Sequence, residues 1–269
     1  MDPNHDDAFR INRETWNRKT PYHFNSKFYD REAFAQNLDS LNRYEVEALG
    51  DVSGQSLLHL QCHFGQDTLS WANRGAICTG LDFSETAIET ARKLAVDVGI
   101  DCTFVCENVL NASVTIDSQF DLVFSSYGVI GWLPDLDLWA RQISSLLKPG
   151  GRFYLIEFHP VAWMFDWLKN PPVIEYPYRS GQCVYEEYRG TYADQQAPIT
   201  SKENTWNHGL SDVIQALIGN GLDIQKFAEH DGSPYDVFPE LTRKEDGLFY
   251  LPKPIYQLLF EIVAVKPVI

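Results

Sequence analysis

The carboxylate best placed for chemistry is Asp82, in Gly80-Leu81-Asp82-Phe83-Ser84 at the end of an apolar run, 23 positions after His59. That interval is close to the roughly 20 residues after which an acidic group meets ribose hydroxyls in α/β nucleotide sites. A carboxylate accepts two hydroxyl hydrogen bonds at once, which suits a cis-diol. Phe83 offers a flat face for stacking on a purine. Upstream, Leu57-Leu58-His59-Leu60-Gln61-Cys62-His63-Phe64-Gly65-Gln66-Asp67 is an apolar strand breaking into a loop, with Gly65 just before a helix. Such loops line the crevice beyond the carboxyl ends of parallel strands, where ligands settle. His59, Cys62 and His63 have metal-ligating chemistry but lack the second pair that structural zinc sites show, so no metal is expected. His59 reads either as a strand histidine bonded locally or as a cofactor contact. His159, in Glu157-Phe158-His159-Pro160, titrates near neutrality and is a candidate proton acceptor.

These residues need a frame. From 56 to 158, short apolar runs alternate with helical patterns, the signature of βαβ units and a parallel sheet. The spacing predicts strands at Ser56–Leu60, Ala76–Leu81, Cys102–Cys106, Phe120–Phe124 and Arg152–Phe158. Helices are expected at about 67–73, after Ser84 as N-cap, and at 136–147. Lys148-Pro149-Gly150-Gly151 predicts a turn. Earlier, Phe34, Leu38, Leu41, Tyr44, Val46 and Leu49 predict one helix across Tyr29–Leu49, preceded by a mobile tail over residues 1–12. Later, Gln182–Thr191 and Thr200–Trp206 alternate as a hairpin would. A helix at about 209–218 and strands at Asp223–Glu229 and Leu258–Val265 end the chain. The expected organisation is a tail and helical lid (1–50), a core (51–160), a covering insertion (161–208) and a helix with a hairpin completing the sheet (209–269).

Over roughly residues 50–160 the chain resembles the class I S-adenosylmethionine-dependent methyltransferases, in particular bacterial enzymes acting on small molecules. The resemblance rests on the order of the loop ending at Gly65, then Asp82, Asn108, the segment Ser125–Trp132 and Lys148-Pro149-Gly150-Gly151. It implies an α/β, Rossmann-like doubly wound, mostly parallel seven-stranded sheet with an antiparallel last strand. The family's first loop reads acidic-x-Gly-x-Gly-x-Gly; the corresponding residues here are His59, Gln61, His63 and Gly65, so only the last glycine is kept. The resemblance places His59, Gln61, His63, Phe64, Gly65, Asp82, Phe83, Asn108, Val109, Ser125 and Tyr127 about S-adenosylmethionine. It gives Tyr127, His159 and His208 catalytic roles, and the acceptor side falls to Tyr22, His23, Trp132, His159 and Trp206. The leader Thr15–Phe24 would fold over the cofactor. Tyr127, Trp132, Trp163, Trp167 and Trp206 also have a plainer reading as packing, since aromatic residues dominate buried area.

The implied reaction moves a methyl group to oxygen, nitrogen or sulfur of a small molecule. The rivals are an NAD(P)-dependent oxidoreductase, whose pyrophosphate wants the bare turn that Gln61 and His63 crowd, and a binding protein that keeps S-adenosylmethionine without catalysis. With 22 Lys and Arg against 37 Asp and Glu, the net charge is -15, which repels nucleic acid and anionic membranes. Five cysteines without a CxxC pair suit a reducing compartment. With no 18-residue apolar run, the expectation is a cytoplasmic monomer or homodimer.

Overall fold

The computed structural model describes residues 3–167, 169, 171–179 and 181–268. Five parallel strands form the centre: β1 (Ser56–Leu60), β2 (Ile77–Asp82), β3 (Thr103–Cys106), β4 (Phe120–Ser126) and β5 (Leu147–Phe158). Two later strands, β8 (Asp223–His230) and β9 (Leu259–Val265), follow the hairpin of β6 (Cys183–Arg189) and β7 (Thr200–Trp206). The sheet order is β8-β9-β5-β4-β1-β2-β3, with β9 antiparallel to both neighbours. This is the Rossmann-like sheet with its antiparallel last strand. The order reverses between β1 and β4, which opens the crevice at their carboxyl ends.

Helices cover both faces because the central strands are apolar on both. Leu58, Leu60, Val123, Phe153 and Leu155 pack against α7 (Leu136–Leu146) through Trp139 and Ile143, and against α8 (Leu210–Gly219). Leu57, Leu122, Phe124, Tyr154 and Ile156 face α3 (Arg43–Leu49), α4 (Gln66–Asn73) and residues 235–259. The α5 helix (Glu85–Val98) starts where Ser84 Oγ accepts from the Ala87 N–H at 3.1 Å, as its N-cap position predicts. A short α6 (Ala112–Thr115) follows β3.

Three expectations need correction. The segment 29–49 is two helices, α2 (Arg31–Asn37) and α3: Leu38 takes φ +52 and closes the first, and Asn42 opens the second with its N–H on Glu45 Oε1 at 2.9 Å. Lys148–Gly151 lies within β5, where the register against β4 shifts and Gly150 adopts φ +79. The supposed tail is α1, Pro3–Phe24. Its inward stripe is polar: Asn12, Thr15, Lys19 and His23 are all at most 1% exposed. These positions recur at helical spacing, and Asn12, Thr15 and Lys19 find their partners in the hairpin. Asn12 exchanges two hydrogen bonds of 2.8 Å with the Asn204 backbone, and Thr15 donates to the Lys202 carbonyl at 2.7 Å. Among the described residues no helix is long and apolar enough to cross a membrane.

Candidate functional site

The floor of the crevice begins with the loop after β1. Gln61, His63 and Gly65 have φ of +55, +51 and +81, all in the left-handed region. These are the positions of the expected glycines, so the chain keeps the glycine-rich backbone path while placing side chains on two of its strained points. A non-glycine residue there costs about 1–2 kcal/mol. The return is visible in what the side chains reach. Gln61 Nε2 donates to the Val129 carbonyl at 2.9 Å, tying the loop to the segment after β4, and its Oε1 is buried without a partner among the described residues. His63 Nε2 meets His23 Nδ1 of α1 at 3.1 Å. Gly65 has no such freedom: a Cβ there would stand 2.7 Å from Phe104.

Asp82 lies at the end of β2, 7% exposed, with its Oδ2 accepting from the His63 N–H and its Oδ1 from the Ser84 N–H, both at 2.9 Å. Burial pushes its carboxyl up to about 6 against the pull of these N–H groups. Each oxygen keeps lone-pair capacity for a hydroxyl. Phe83 is half-buried beside it. Asn108 follows β3 and caps the turn by accepting from the Leu110 N–H at 3.0 Å, and Val109 is buried. Ser125 is fully buried, its hydroxyl unpartnered among the described residues.

The loop after β4 is organised from beneath by Glu157 of β5. Its carboxylate accepts from the backbone N–H groups of Gly128, Val129 and Ile130. Tyr127, at φ +44, turns its hydroxyl to Glu45 Oε2 at 2.8 Å. Burial pushes that glutamate up to about 7. Trp132 donates from Nε1 to the Gly128 carbonyl at 2.8 Å and presents its ring to α1.

The roof is α1 with the β6–β7 hairpin. Trp16 contacts His63 and Trp132 edge-on, with centroids 5.1 and 5.2 Å apart. Tyr29 packs on His63 and Phe64, and Tyr192 on His23. Lys19, 1% exposed, forms an ion pair with Glu203 of β7; its ammonium lies within 6 Å of the rings of Trp16, Trp132, Tyr188 and Tyr192. Burial, with Lys19 nearby, lowers His63 to about 3 and, with His63 added, His23 to about 2. Both rings are neutral at ordinary pH, and His23 Nε2 has no partner among the described residues.

The structure gathers His23, His63, Phe64 and Trp132 in one box, with Asp82 bound to the same loop. Other expected residues have different partners. His59 is buried with Nδ1 on Thr68 Oγ1 at 2.8 Å, and burial lowers it to about 3. His159 meets Glu229 Oε1 at 2.9 Å and accepts from the Val161 N–H, so its contacts run toward the sheet edge. His208 bonds the Leu133 carbonyl at 2.7 Å. Trp206 is buried against His5, and Tyr22 is half-buried on a neighbouring face of α1. Sequence reasoning passed over Tyr29, Glu45, Asp67, Glu157, Tyr188 and Tyr192. Glu157 carried a signal, an acidic residue inside an otherwise apolar strand; the others depend on long-range packing.

Residues 58–155 match the family model described as "Methyltransferase domain". The matched stretch runs from β1 to β5, the five parallel strands of the sheet, and covers less than half of the chain. Among curated proteins, the chain is similar to the ubiquinone biosynthesis O-methyltransferase of Photorhabdus laumondii subsp. laumondii, 29% identical over 145 residues, 52% of this chain and 60% of that protein. The protein of the same name from Escherichia coli O127:H6 is 29% identical over 130 residues, 47% of this chain and 54% of that one. The chain thus spans little more than half the length of these relatives. Among solved structures, an S-adenosylmethionine-dependent methyltransferase from Mesorhizobium loti has a TM-score of 0.57 at 23% identity, covering 85% of this chain and 100% of that one. The glycopeptide N-methyltransferase MtfA has a TM-score of 0.56 at 20% identity, covering 90% and 93%.

Proposed function

We propose that this chain is an enzyme that transfers a methyl group from S-adenosylmethionine to oxygen, nitrogen or sulfur of a small molecule. The observation that carries the reading is the Asp82 carboxylate, fixed by two backbone N–H groups beside the loop after β1. Asp82 would hold the ribose diol, Phe83, Asn108 and Val109 the adenine, and Gln61, His63, Phe64, Gly65, Ser125 and Tyr127 the methionine part. Unpartnered buried atoms on Gln61, Ser125 and His23 fit a polar cofactor better than an empty apolar cleft. The cofactor supplies an activated methyl group. The protein's task is to exclude water and hold the acceptor in line, which by itself lowers the barrier by several kcal/mol. Trp132, His23, Tyr22 and Trp206 would shape the acceptor side. His159 and His208 remain candidate proton acceptors, each requiring a change of partner. The acidic surface, the free cysteines and the absence of a basic run support a cytoplasmic monomer or homodimer that does not bind nucleic acid.

Calorimetry with S-adenosylhomocysteine tests the reading. Asp82→Ala should weaken binding about 100-fold, the loss of two hydrogen bonds to a charged acceptor, with the circular dichroism spectrum unchanged. Unchanged affinity would overturn it. Thermal stabilisation by NADH and none by S-adenosylhomocysteine would favour the oxidoreductase alternative.

A further inference from the structure

The family's acidic residue at the end of β1 is His59 here, and this ring is buried, bonded to Thr68 and neutral. It supplies no charge for the ammonium group of a bound amino acid. Four carboxylates stand around the crevice. Glu157 is saturated by backbone N–H groups, from Phe158 as well as residues 128–130. Glu45 accepts from the Asn42 N–H and side-chain amide on one oxygen and from Tyr127 on the other. Asp82 stands at the next strand, beside the place for the sugar.

Asp67 is different. It lies in the first turn of α4, two residues after Gly65, and is half-buried. Its Oδ1 accepts from Ser40 Oγ at 2.6 Å, and its other hydrogen-bonding neighbour is the Ser126 hydroxyl at the end of β4. Among the described residues no cation acts on it, and Asp39 adds a second negative charge nearby. The neighbouring Gln66 donates from Nε2 to the carbonyl of Tyr29 at 3.0 Å, the roof residue that packs on His63 and Phe64, so the first turn of α4 is tied to the roof over the same loop. Burial without a cation raises its carboxyl to about 6, the condition that an arriving ammonium relieves. The same loop presents a second group seeking a donor: Gln61 Oε1, buried and unpartnered, with its amide fixed by Val129.

Resting on the cofactor reading above, we propose that Asp67, assisted by the Gln61 carbonyl, is the seat of the cofactor's α-ammonium group, in place of the carboxylate missing at position 59. Asp67 is a binding residue for the amino-acid end and takes no part in methyl transfer. The test compares S-adenosylhomocysteine with its analogue in which the α-amino group is replaced by hydrogen, by calorimetry at pH 7.5. The wild-type protein should bind S-adenosylhomocysteine about 30-fold more tightly, the scale of one charge-assisted contact. In Asp67→Asn the ratio should fall below about threefold, because S-adenosylhomocysteine weakens while the analogue does not. Asp67→Ser serves as a second variant should the amide disturb α4. The inference is overturned if the wild type does not discriminate, if either folded variant keeps the ratio, or if both ligands weaken equally. If the wild type binds neither ligand, the cofactor reading itself fails.

Discussion

Floor and roof of the crevice are held together by different kinds of bond. On the floor, buried carboxylates are answered by backbone N–H groups close in sequence or on an adjacent strand: Asp82 by His63 and Ser84, Glu157 by residues 128–130. The roof depends on α1 side chains reaching partners more than 160 residues away, the Glu203 carboxylate for Lys19 and the backbone of Asn204 and Lys202 for Asn12 and Thr15. The floor is therefore set once the sheet forms, whereas the roof exists only after α1 has found the hairpin. A cover of this kind can separate from the site without unfolding the sheet, which is what entry of a ligand into a closed box requires.

Breaking the ion pair in the roof should have the largest effect. Lys19→Ala leaves Glu203 buried and unpaired, and should cost about 3–5 kcal/mol, read as release of α1 to limited proteolysis while near-native circular dichroism persists. Lys19→Met with Glu203→Leu should recover much of this loss. Uniform loss of all structure in Lys19→Ala would mean that floor and roof form one cooperative unit.

Acid should probe the floor through His59. Its ring is neutral when folded and titrates near 6.5 when unfolded, so its stabilisation is complete above pH 6.5 and is lost as pH falls toward 3. Between pH 7.5 and pH 5 His59 accounts for about 2 kcal/mol of loss, read by urea denaturation as the difference between wild type and His59→Gln, since the lowered His23 and His63 add losses of the same sign. Glu45 acts with the opposite sign, its raised carboxyl favouring the fold most below pH 4.5 and no longer doing so above 7. His59→Gln should make the acid limb shallower while leaving the contributions of His23, His63 and Glu45. A smaller effect is expected at the joint between the regions. At position 63, with φ +51, Gly should be more stable than Ala by about 1 kcal/mol; equal stability would show that the loop carries no strain.

The floor was legible because its signals are local. Gly65, Asp82 and Ser84 each mark the junction of a strand with a loop or helix, and apolar runs gave every strand of the main sheet to within a few residues. Catalytic assignments to His159 and His208 rested on residue type, and their ring nitrogens are engaged by Glu229 and the Leu133 carbonyl. The α1 helix escaped notice because its buried stripe, Asn12, Thr15, Lys19 and His23, is polar, while helical patterns are sought in apolar residues. Nothing near residue 19 in the chain indicates that a carboxylate will arrive from residue 203.

By itself, the sequence determined the order of strands and helices, the crevice at the reversal of the sheet and the carboxylate at its rim, since period, turn chemistry and capping act over a few residues. Tertiary structure alone decided which histidines stay neutral, which side chains occupy the left-handed points of the first loop and what closes over them. Those outcomes depend on desolvation and on partners from distant parts of the chain, quantities that no local pattern encodes.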